Sequence, residues 1–88
     1  MTEIYSFKSP KGASLTLTNI TEKSVRVAFD IYFEALPPMK SLTLTLLPER
    51  VAVIELDKPF ASEGYKIPEG SFSLVLKSDE PVAVAVFK

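Results

Sequence analysis

The chain has 88 residues, a formal net charge of −1 and a sequence pI of about 5.4, which allows a single domain (1–88) with a modest core and gives no basic surplus for a phosphate backbone. Cysteine, histidine and tryptophan are absent. That removes a disulfide framework, the thiolate and imidazole metal ligands and the commonest general base, so no metal, no cofactor and no nucleic-acid partner is expected.

Met1 to Lys8 lacks a basic n-region and a long apolar run, so neither a signal peptide nor membrane insertion is expected, and the expected compartment is the cytoplasm. Glu3 to Lys8 reads as a first strand with Tyr5 and Phe7 on one face. Ser9-Pro10-Lys11-Gly12 has the chemistry of a tight turn. Ala13 to Ile20 is the second strand, with Leu15 and Leu17 inward and Ser14, Thr16 and Thr18 outward.

Ser24 to Glu34 carries the clearest signal. Val25, Val27, Phe29, Ile31 and Phe33 alternate without a break against Ser24, Arg26, Ala28, Asp30, Tyr32 and Glu34. Period two predicts a strand with one dry and one wet face, and the wet face predicts an antiparallel sheet. Pro37-Pro38 interrupts it, because proline cannot donate to a ladder. Ser41 to Leu47 resumes the alternation with Leu42, Leu44 and Leu46 inward. Arg50 to Asp57 is apolar on both faces, so it is expected either to be covered on both sides or to switch register at a bulge.

Lys58 to Gly70 is the longest stretch without a period. Ser71 to Lys77 follows as a strand with Phe72, Leu74 and Leu76 inward, and Val82 to Phe87 closes the chain with apolar residues on both faces. Seven strands, turns about every ten residues and no helical period predict an all-β fold: an antiparallel β-sandwich of about seven strands, immunoglobulin-like in shape only. All seven prolines fall in predicted breaks. The absence of glutamine, the single asparagine (Asn19) and the loop prolines fit a thermophile.

Four features are candidates for function. Asp30 and Glu34 share the predicted wet face, and paired carboxylates at a suitable separation can hydrolyse glycosides; cross-strand ion pairs explain them more simply, and no catalytic residue is assigned. Thr16, Thr18, Thr43 and Thr45 point outward, but two pairs do not make an ice-ordering array. In the long loop, Phe60, Glu63, Tyr65 and Lys66 are the candidate ligand or partner contact, against the alternative that Phe60 and Ile67 plug the end of the sandwich. Val75, Ala83, Ala85 and Phe87 would form an exposed apolar strip, the candidate oligomer interface.

The order of motifs resembles the sensory rhodopsin transducer family. The matching stretches are Leu15-Thr-Leu-Thr-Asn19, Val25 to Phe33, Leu44-Thr-Leu-Leu-Pro-Glu-Arg50, Ile67-Pro-Glu-Gly70, Phe72 to Lys77, Ser78-Asp-Glu-Pro81 and the valine strand, over roughly Ala13 to Phe87. The resemblance implies a small β-sandwich and an oligomeric cytoplasmic partner protein that relays a photoreceptor's state, with ligand and DNA binding also suggested. The family's aromatic-rich N-terminal segment, its C-terminal extension and its late histidines have no counterpart here. The resulting expectation is a non-enzymatic binding or interaction module, a homo-oligomer with a protein partner. A structural subunit of a larger assembly is the alternative, and a carbohydrate-active or ligand-binding domain a remote one.

Overall fold

Strict alternation sets the strands, and prolines with glycines set the gaps between them. The computed structural model describes residues 1–61 and 64–88. Its strands are β1 (Thr2–Phe7), β2 (Ser14–Asn19), β3 (Val25–Phe33), β4 (Met39–Leu46), β5 (Arg50–Glu55), β6 (Phe72–Ser78) and β7 (Ala83–Phe87). Every strand end lies within two residues of its expectation, and no residue among those described is helical.

Two antiparallel sheets result, one in the order β1-β6-β3-β4 and one in the order β5-β2-β7. The residues read as inward meet between them. Leu15 and Leu17 from β2, Val25, Val27, Phe29 and Ile31 from β3, and Leu74 and Leu76 from β6 are fully buried. Burying each such side chain contributes about 1.5–3 kcal/mol relative to exposure. The long loop adds Phe60 and Ile67 to the same core.

The wet face of β3 differs from expectation at Asp30, which is only 5% exposed. A β-bulge is the reason. Phe29 pairs with Leu42 and Ile31 with Met39, which leaves Lys40 and Ser41 opposite the single residue Asp30. Ser41 adopts φ 60°, and its backbone N–H donates to Asp30 Oδ1 at 2.9 Å. Lys77 Nζ donates to Oδ2 at 2.9 Å across the other side. The carboxylate thus accepts a donor that the bulge removes from the ladder. The bulge also restarts pairing at Met39, two residues before the predicted start.

The Lys77 hydrogen bond, with the Ser41 N–H and the positive charge of Lys77 and Lys40, outweighs desolvation and holds Asp30 below its ordinary value of 3.8. The folded state therefore binds fewer protons than the unfolded chain near that pH. The stabilisation is complete above the ordinary value and is lost as pH falls through the folded one. Asp30→Asn is expected to flatten this acid limb, read as denaturant midpoint between about pH 5 and pH 2. A wild-type limb unchanged by the substitution would place the acid sensitivity elsewhere.

Asn19 is the other buried polar side chain, with no exposure at all. Its Nδ2 donates to the carbonyls of Lys23 at 2.8 Å, Leu46 at 3.2 Å and Leu47 at 3.1 Å. Its Oδ1 accepts from the Thr21 backbone N–H at 2.9 Å and the Thr21 hydroxyl at 2.7 Å. Asn19 ends β2 in one sheet, and Leu46 ends β4 in the other. One amide therefore joins the two layers at their edge.

Candidate functional site

The long loop sends Phe60 and Ile67 into the core. Phe60 is buried and meets Phe29 edge to face, with ring centroids 5.8 Å apart at 84°. Phe60 and Tyr65 exchange both backbone hydrogen bonds at 2.9 Å. Their rings stand 6.3 Å apart at 76°, and burial raises the Tyr65 phenol above its ordinary value. Of the four residues proposed for a contact in this loop, Phe60 is a core residue and Tyr65 half-buried against it; only Lys66 is exposed, and Glu63 lies outside the described residues.

The carboxylate pair does not assemble. Asp30 is held ionised between Ser41 and Lys77, whereas a general acid needs a raised pKa. Glu34 lies past the end of β3 and is exposed. The two outward threonine pairs also separate, with Thr16 and Thr18 on β2 and Thr43 and Thr45 on β4, in different sheets.

The apolar strip behaves differently. Ala83, Ala85 and Phe87 are exposed along β7, with Phe87 at 56%. Val75 does not join them. It lies on β6 in the four-stranded sheet, between Ile4 and Asp30, so the strip was assigned across two sheets that face apart. What extends the strip is β2 and β5. Glu55, Ser14 and Phe87 form one cross-strand row, Val53, Thr16 and Ala85 the next, and Val51, Thr18 and Ala83 the third.

Val51 and Val53 are 60% and 65% exposed, and the pairing of β5 with β2 runs without a bulge. Both expectations for this strand therefore fail: it is neither covered nor switched. Its second apolar face is bare. The sequence signal for these two valines was that double-apolar pattern, and the face they build was missed because the sheet partition was unknown. Glu55 is the only charged residue in the grid, and it is paired at the corner with Lys58 at 2.9 Å. The opposite sheet carries Asp30, Lys77 and Arg26 on its outer side. Alanines at Ala83 and Ala85 keep the grid flat. Both β5 and β7 are edge strands, and a flat, uncharged sheet with two open edges invites another surface.

A family model described as Anabaena sensory rhodopsin transducer matches residues 5–88. The chain belongs to this family. Among solved structures, the Anabaena sensory rhodopsin transducer matches with a TM-score of 0.77 and 18% identity, covering 97% of this chain and 80% of that one. Identity at that level speaks for the fold alone, and the transducer fold is the all-β, two-sheet architecture described above. No curated protein matches the chain. The transducer resemblance carried by Leu15 to Asn19 and by Leu44 to Arg50 thus holds over nearly the whole length. Among the described residues, no helix is long and apolar enough to cross a membrane.

Proposed function

We propose that this transducer-family chain is a non-enzymatic interaction module that self-associates through the outer face of β5-β2-β7 and acts as a signalling partner protein. The observation that carries this reading is the uncharged grid of Ser14, Thr16, Thr18, Val51, Val53, Ala83, Ala85 and Phe87 on one face. Three strands and three rows span about 15 by 20 Å from ordinary strand spacings. That supplies the dry centre of an interface. A stable one buries about 800 Å² per partner, so the polar residues around the grid, Glu55 and Lys58 among them, form its rim.

Membership of the sensory rhodopsin transducer family supports a rhodopsin-type photoreceptor as the further partner. Self-association leaves the charged outer face of β1-β6-β3-β4 free for that contact. Light scattering over a range of protein concentrations tests the first half of the proposal. The expected mass is that of a dimer or a larger closed oligomer. A monomer mass at every concentration would overturn self-association and favour a brick in a mixed assembly, where another protein covers the grid.

A further inference from the structure

The far end of the four-stranded sheet holds an open cleft of about 770 Å³, well within the size range of small-molecule sites. It forms where β1 ends at Phe7, β3 ends at Phe33 and β6 begins at Phe72, three residues in one cross-strand row. The Phe7 and Phe72 rings stack with centroids 4.9 Å apart and 16° between planes. Both are almost wholly buried, so they form a fixed floor. Phe33 is half-buried and Tyr32 is 40% exposed; they offer apolar surface beside that floor. Lys40 Nζ stands 5.7 Å from the Tyr32 ring centroid and braces it from outside.

Charge at the cleft runs against that of the chain. Lys8, Lys11 and Lys88 line it, with Glu34 as the one acidic lining residue. The chain as a whole carries −1. The ion pairs among the described residues are Lys58 with Glu55 and Lys77 with Asp30, so none of these three lysines is paired with a carboxylate of the described residues. Glu69 stands near the rim but engages the Ser9 hydroxyl at 3.4 Å. Lys88 Nζ lies 5.6 Å from the Phe7 ring centroid, which places an ammonium directly over the aromatic floor. Three lysines lining a preformed apolar base match a ligand with a negative head and a flat hydrophobic body.

We propose that this cleft binds a small organic anion, a carboxylate, sulfonate or phosphate carried on a flat apolar group. The body lies against Phe33, Tyr32 and the Phe72 edge, and the anionic head meets the lysines. A stacking platform for nucleic acid would present open ring faces, and here Phe7 and Phe72 are almost wholly buried. The inference goes beyond the interaction reading and stands on the other sheet, so either can fail without the other.

Indole-3-acetate is a suitable probe, with its neutral isostere indole-3-acetamide and inorganic phosphate as the comparisons, followed by backbone amide NMR. The acid is expected to shift amides at 6–11, 32–34, 71–73 and 88, with a Kd on the order of 1 mM for a ligand of this size. The amide and phosphate are each expected to bind about tenfold more weakly or worse, since each lacks one half of the recognition. Lys8→Glu with Lys11→Glu is expected to remove the shifts while the rest of the spectrum stays in place. Lys88→Gln, at an exposed position, gives the same readout if the double variant does not fold. No shift with the acid, shifts scattered over the surface, or equal binding of acid and amide would overturn the proposal. Equal binding of phosphate would reduce the cleft to a charge patch and overturn it as well.

Discussion

Asn19→Asp is expected to remove about 3–5 kcal/mol of stability from a chain whose total is roughly 4–13 kcal/mol at this length. The substitution is isosteric, so packing does not change. The chemistry reverses. An amide nitrogen that donates to the carbonyls of Lys23, Leu46 and Leu47 becomes an oxygen facing the same three oxygens. A carboxylate there is fully buried, repelled by carbonyl dipoles and left with only the Thr21 donors. Burial would raise its pKa and drive it to protonate, which restores one donor at most. Guanidinium unfolding at neutral pH measures the loss, and partial recovery at lower pH is expected from that protonation. Asn19→Ser, which keeps a small donor, should lose less. A cost below about 1 kcal/mol for the aspartate would mean that water reaches the site and replaces the amide.

Ala85→Glu is expected to convert the oligomer to monomers. Ala85 lies in the middle row of the grid beside Thr16 and Val53, and its exposure in the free chain means that a glutamate there leaves the fold intact. In a two-fold interface the same residue enters from both sides. Each buried, unpaired carboxylate costs about 2–5 kcal/mol, and the two together weaken association by at least about a thousandfold. The matching control is Ile4→Glu, on the outer face of the other sheet and 66% exposed, which should leave the mass unchanged. Sedimentation or light scattering reads both variants. A retained oligomer in Ala85→Glu together with a monomer in Ile4→Glu would move the interface to the four-stranded sheet.

Strands were legible because most obey period two and every gap but the one between β2 and β3 holds a proline or a glycine. Val25 to Phe33 and Phe72 to Ser78 needed nothing more. Asp30 was misplaced because alternation assigns a face but not a depth. Depth came from the bulge at Lys40 and Ser41, and a positive φ at serine has no sequence mark. Val75 and the β7 strip were joined because consecutive strands were taken as neighbours, whereas β6 and β7 lie in different sheets. Phe60 and Tyr65 were singled out as unusual in a loop, and hydrophobic burial against Phe29 accounts for the place of Phe60. The cleft was illegible for a different reason. Phe7, Phe33 and Phe72 are far apart in sequence and meet only once the register of two strand pairs is known.

The pairing order has a consequence for how the protein is made. β1 pairs only with β6, and β2, the middle strand of its sheet, needs β7 at the end of the chain. While the ribosome is still adding residues, the earliest segments have no partners to bind, and the apolar faces of β1 and β2 wait through most of elongation at about 5–20 residues per second. The native sheet closes only after the final strand emerges. Folding is therefore governed by distant pairings, which places it in the millisecond-to-second class. In the interval, the apolar faces of β1 and β2 are the segments a holding chaperone would bind.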